Sequence, residues 1–225
     1  MTGAAASERV PRAVPLRAAV RAAVAAVVLV AVTATFLDTA SRGAVNPFNF
    51  FGFFTMQSNI AAAVVLLLAA VPHLRGADGP EWLVPVRAAV TTYMLVVGVV
   101  YNLLLAGLAG GVELPWANWV LHVAFPIYAL LDWVATSDRR PLSYRVLRLI
   151  LAYPLIWLLV VLVRGATDGW VPYPFLDPAS GYASVLLHAV GIAAAIGGSG
   201  ALVILASRSA DPVAGLAARL RRSRG

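Results

Sequence analysis

Six long runs of apolar residues alternate along the chain with short clusters of arginine, proline and glycine. The stretches free of charge cover residues 22–37, 43–74, 88–112, 114–131, 149–163 and 178–207. A bilayer core needs about 20 mainly apolar residues of helix to cross it, a few less where flanking arginines reach back to the headgroups. The pattern therefore predicts six spanning helices, at about 18–38, 53–72, 87–109, 116–135, 146–163 and 182–206. The fifth is short and leans on Arg148 and Arg164; the third ends at Ala109-Gly110-Gly111. Before Phe53 and before Tyr182 the aromatic, Gly/Pro-rich stretches read as loop, because closely spaced proline and glycine break helices. The expected architecture is all-α, a single polytopic helix bundle over residues 1–225, with tails at 1–12 and 208–225.

Composition agrees with this. The chain is 61% hydrophobic and 12% charged, where soluble domains carry about a quarter charged residues. With no cysteine, disulfides, thiolate metal sites and cysteine nucleophiles are all excluded. The net charge of +7 would point to nucleic acid in a soluble protein, but all 17 basic residues are arginines that flank apolar runs. Fifteen of them fall at the two ends of the chain and in the second and fourth connections, and only Arg42 and Arg164 in the others. Arginine bias of this kind sets topology and puts both termini in the cytoplasm of a cell membrane protein. The alternative for the first run is a cleaved signal peptide, with its basic start and small residues at 39–44. The tail at 219–224 could hold anionic lipid headgroups, each arginine contributing roughly 1 kcal/mol, or simply anchor the topology.

Orientation turns position into depth. Polar residues inside a membrane are costly and mark function by default. Thr55, Gln57, Ser58 and Asn59 enter the second span from outside; Tyr101 and Asn102 lie near the outer end of the third; His122 and His188 sit early in the fourth and sixth. At 1.5 Å of rise per residue these form one layer in the outer leaflet, covered by the aromatic segments 46–51 and 170–175. On the inner side the acid Asp132 is expected to reach toward Arg139 and Arg140, and His73 to be solvated beside Pro72.

A threonine hydroxyl becomes a nucleophile when a base removes its proton, and histidine is the usual base. Thr55 and His122 supply that pair at one depth. The structural alternative for Thr55 is a bond to the Phe51 carbonyl, and for His122 a bond across a helix interface. Asn59 and Asn102 could join helices or donate to a developing oxyanion. His122 and His188 raise a haem bridge as a third option. No HExxH, GxSxG, phosphate loop or carboxylate cluster occurs, so nothing calls for a metal or other cofactor.

Three segments, Phe53-Phe54-Thr55-Met56-Gln57-Ser58-Asn59, Asn118-Trp119-Val120-Leu121-His122 with Pro126, and Trp170-Val171-Pro172-Tyr173-Pro174-Phe175-Leu176, resemble in order and content the hallmarks of the androgen-induced family of multi-pass membrane hydrolases, to which the androgen-dependent TFPI-regulating protein belongs. The resemblance implies a catalytic threonine at Thr55 and histidine at His122, and fatty acid esters of hydroxy fatty acids as substrates drawn from the bilayer. Gln57, Ser58, Asn59, Asn102, His188 and Tyr173 are then candidates for substrate or oxyanion contacts. The chain departs from the animal members in Gln57-Ser58-Asn59 and in the extra proline beside Tyr173, which marks a diverged, bacterial branch. Against this stands a non-enzymatic reading, in which the same layer binds a lipid or passes a small solute.

Overall fold

The computed structural model describes residues 13–75, 77, 79–107, 114–136 and 138–209. The expected end of the third span at Ala109-Gly110-Gly111, the tail at 1–12, and most of the tail at 208–225 with its lipid-binding arginines lie outside the described residues. Helix α1 spans Ala13–Ser41, the short α2 Pro47–Phe50, α3 Phe54–Leu74 and α4 Leu83–Val100. There follow α5 Pro115–Trp119, α6 Phe125–Ala135, α7 Val146–Thr167 and α8 Tyr182–Ala206. A π-helical turn, Tyr101–Leu105, extends α4, and another, Val120–Ala124, joins α5 to α6. Six helices result that are long and apolar enough to cross a membrane, and there is no strand among the described residues.

The packing follows from side-chain size. Along α1, Ala18, Arg21, Ala25, Val28, Val32 and Thr35 recur every three or four residues and are all buried. This stripe lies against α3, whose Ala62, Ala63, Ala69 and Ala70 are buried as well. Small residues on both sides let two backbones approach closely, which is how helices associate where lipid removes the hydrophobic drive. Helix α4 is central, contacting α3, α6, α7 and α8. The outer faces of α7 and α8 expose Leu155, Ile156, Leu159, Leu186, Leu187 and Val190, a surface suited to lipid and too apolar for water. Pro154 lacks the N–H that would bond the carbonyl of Ile150, and Tyr93 Oη donates to that carbonyl instead, at 3.0 Å.

Helix α7 runs past Arg164 to Thr167, so the fifth span is not short. Arg164 lies over the Trp170 ring at 4.3 Å and pairs with Asp168 at 2.7 Å. Helix α4 begins a turn ahead of Arg87, which is 4% exposed and so does not flank the span from outside.

At the end of the bundle where α1 begins and α8 ends, the expectation for Asp132 is overturned. Its carboxylate meets Arg21 at 2.8 Å and Arg87 at 2.9 Å. Asp138 meets the same two arginines, at 2.6 Å and 2.9 Å. Arg139, which Asp132 was expected to reach, donates instead to the Trp133 and Thr136 carbonyls. Nor is His73 freely solvated: Arg21 donates to its Nδ1 at 3.4 Å. Two buried cations need acids close by, and α6 and the segment just after it supply them.

Candidate functional site

The site is built where α3 begins. Its N-cap residue, Phe53, offers no capping side chain, so the first N–H groups of the helix need a partner from elsewhere. Tyr173 provides it: Thr55 N donates to Tyr173 Oη at 3.2 Å, and the Thr55 hydroxyl lies 3.4 Å from the same oxygen. The threonine thus meets Tyr173 rather than the Phe51 carbonyl. Tyr173 is held by the rings of Phe53, Trp157 and Phe175, with centroids 5.6, 5.9 and 5.2 Å away. Burial pushes its phenol above the usual range, and the bonds from Thr55 pull only partly back. The hydroxyl therefore keeps its proton and remains a donor. Gly52 permits the tight approach of the segment beside α3, since a Cβ there would sit 2.6 Å from the Trp170 ring.

His122 lies in the π-helical turn Val120–Ala124, and its ring stacks on Tyr101, which opens the other π-helical turn, at 3.6 Å between centroids. Such turns shift side chains out of helical register and are frequent at functional sites. The cause here is local. Pro126 has no N–H to give, and the Phe125 N–H bonds Val120, so the carbonyls of Leu121 and His122 are short of a donor. Two asparagines supply it: Asn59 Nδ2 to Leu121 at 3.4 Å and Asn102 Nδ2 to His122 at 3.2 Å. Each also bonds a carbonyl of its own helix, Thr55 at 2.9 Å and Gly98 at 2.8 Å. Both amides are thus committed to joining helices beneath the site.

The His122 Nδ1 lies 3.1 Å from the Asn118 carbonyl. A carbonyl only accepts, so Nδ1 carries the hydrogen and Nε2 is left as the basic nitrogen. His122 and Thr55 line one chamber of about 640 Å³, together with Tyr101, Tyr173, Thr35, Thr39, Asn46, Asn49 and Asp177 among others. Thr55, Tyr101, Leu105 and Tyr173 also line a narrow apolar groove of about 70 Å³, walled by Val96, Val97, Leu158, Ile192 and Ile196. The chamber, which carries these polar groups among mainly apolar walls, and the almost wholly apolar groove therefore share Thr55.

The other residues singled out from the sequence lie apart from the chamber. Gln57 accepts from Tyr153 Oη at 2.5 Å. Ser58 is fully buried, and its hydroxyl has no hydrogen-bond partner among the described residues. His188 does not line the chamber; its ring stacks on Phe175 at 5.9 Å and its Nδ1 donates to Ser184 at 2.9 Å. The two imidazoles raised as a haem pair thus do not share this space. Sequence reasoning put Tyr101 in the polar layer and Asn49 in the segment covering it but gave neither a role, and it missed Thr35, Thr39 and Asp177. For the threonines the available signal was the cluster Thr33, Thr35, Asp38 and Thr39 near the end of the first apolar run. Among the described residues no group of three or more acids, histidines or cysteines is placed to hold a metal. Comparison with protein-family models, with curated proteins and with solved structures finds no match to this chain.

Proposed function

We propose that this multi-pass membrane protein is a threonine-dependent hydrolase of lipid esters, with its site in the outer leaflet and both termini in the cytoplasm. The observation that carries the reading is that Thr55 and His122 line one chamber, and that Thr55 also lines an apolar groove. A lipid ester could lay its acyl chain in the groove and its alcohol half in the chamber, with the carbonyl at Thr55. The family resemblance in the three segments points to the same pair of residues.

In this mechanism His122 Nε2 takes the proton of Thr55 Oγ1, and the alkoxide adds to the acyl carbonyl. The Tyr173 hydroxyl, already beside Oγ1, donates to the developing oxyanion. The His122 imidazolium then protonates the departing alcohol, and water activated by the same nitrogen releases the fatty acid. No hydrogen bond links Thr55 and His122 without substrate, and catalytic contacts commonly tighten only in the reactive complex.

Purified protein should hydrolyse a long-chain fatty acyl ester, and Thr55→Ala or His122→Ala should reduce this to background while each variant stays monodisperse. Full activity in both variants would end the proposal. A non-enzymatic lipid binder is separated from it by a fluorophosphonate probe, which should label the wild type and spare Thr55→Ala.

A further inference from the structure

We infer that the acyl chain of a long-chain ester reaches Thr55 sideways from the bilayer, through the seam between α7 and α8 at Leu155 and Ala193, and not by way of the chamber. This rests on the ester-hydrolase reading and adds to it the route and the two residues that control which chains pass.

The seam is closed at its inner end. Gly200 on α8 lies against Leu147 and Ile150 on α7, so tightly that a Cβ there would sit 3.1 Å and 3.2 Å from their side chains. Consecutive spans run antiparallel, so two turns outward from this contact the register passes from Gly200 to Ala193 on α8, and from 147–150 to 154–157 on α7. Leu155 and Ala193 therefore face each other about 10 Å above the closed point. There the seam widens into the groove, lined from α7 by Pro154, Leu155 and Leu158 and from α8 by Ala189, Ala193 and Ile196. Each set steps by three and four residues, so one face of each helix is involved, and the two alanines leave the space between them unfilled. Of the residues that line the groove, Leu155 alone is also exposed at the surface, at 52%. The groove opens where it stands, beside the lipid-facing Ile156 and Leu159.

The lining suits a hydrocarbon chain. Trp157 Nε1 is committed to the Gly52 carbonyl at 2.8 Å, and Tyr173 Oη to Thr55. A chain passing inward from Leu155 meets apolar side chains until it reaches Thr55 and Tyr101. Through the chamber it would pass Thr35, Asn46, Asn49 and Asp177 instead, and each methylene drawn out of lipid past polar groups and water carries a cost that the seam avoids. A short, water-soluble ester has little hydrocarbon to protect and can use the chamber.

The chain contains no cysteine, so Leu155→Cys combined with Ala193→Cys places one thiol on each side of the seam. A short bifunctional methanethiosulfonate joins them, and intact mass reports the link. Purified full-length protein in lipid–detergent micelles is assayed on p-nitrophenyl oleate and p-nitrophenyl butyrate. Linking should lower kcat/KM for the oleate at least about tenfold, as for a substrate no longer brought to its reactive position, and leave the butyrate within about twofold; reductant should restore the oleate. Oleate turnover that survives linking, or equal loss of both esters, overturns the inference and leaves the hydrolase reading standing. Ala193→Trp, which needs no reagent, should split the two esters in the same way, and wild-type oleate turnover in that variant also overturns the inference. If the wild type cleaves neither ester, the hydrolase reading fails by itself. Uptake of a fluorescent fatty acid by the double-cysteine protein carrying Thr55→Ala then tests the route alone: it should slow on linking and recover with reductant, and unchanged uptake overturns it.

Discussion

Tyr173 serves two purposes at one oxygen, capping α3 and standing beside the Thr55 hydroxyl. Tyr173→Phe keeps the ring contacts and removes only that oxygen. It should lower kcat about 100-fold, as loss of one oxyanion donor does, and cost about 1 kcal/mol for the lost cap. Parallel measurement of ester turnover and melting temperature separates the two effects, and unchanged turnover would remove Tyr173 from the mechanism. At this scale much was legible. Thr55, His122 and Tyr173 stand out because polar groups and prolines interrupt otherwise apolar runs. Tyr101 was placed in the same layer but without a role, since a tyrosine near the end of a span reads equally well as an interfacial anchor. Its role appears only through the stacking on His122, which joins two helices. The roles of Asn59 and Asn102 were open for a related reason: an amide's partners are set by where backbone carbonyls are left free, and that depends on a helix distortion.

The elements themselves were easier to read. Six apolar runs become six helices because each is long enough to satisfy its own backbone in lipid. What the apolar pattern could not show is the pair of π-helical turns, which arise where α4 meets the segment from α5 to α6. A Cβ on Gly98 would lie 3.0 Å from Pro126, so the glycine lets the two backbones close in, and the missing N–H of Pro126 frees the carbonyls that Asn59 and Asn102 occupy. Pro126→Ala restores that N–H. The turn should then relax toward regular α-helix and turn His122 out of its stack on Tyr101. The expected result is a melting temperature equal to or above that of the wild type, with kcat/KM reduced about 10- to 100-fold. Retention of full activity would show that His122 does not need the π-helical turn.

Across the whole molecule, the end opposite the chamber is organised by Arg21, Arg87, Asp132 and Asp138. Arginine bias grouped Arg21 and Arg87 on one side, and the structure puts them at one end of the bundle, but it did not show their environment, because arginines that flank a span and arginines that are buried look alike in sequence. Their partners lie on α6 and in the segment after it, and no local spacing reveals them. Asp132→Asn should destabilise the protein by about 3–5 kcal/mol, the cost of leaving buried cations unpaired. Replacing all four residues by leucine should be far milder, a contrast that thermal melts in detergent can measure. Asp138, beyond the end of its span, responds to pH. Burial raises its carboxyl, but the Arg87 charge and the Arg21 hydrogen bond outweigh this and hold it below the usual carboxylate range. Its stabilising contribution is therefore complete above the unfolded value of about 4 and is lost as pH falls toward the lower folded value. In Asp138→Asn the fall in melting temperature between about pH 5 and pH 3 should be shallower than in the wild type.

This quartet also bears on how the chain is made. Arg21 precedes Asp132 by 111 residues, so during synthesis its charge reaches the membrane long before either acid has left the ribosome. Until the fourth span is delivered, the first hairpins carry two guanidinium groups with no counter-charge from the bundle. The helices that carry Arg21 and Arg87 can therefore gain these carboxylates only once α6 and the segment after it have been made.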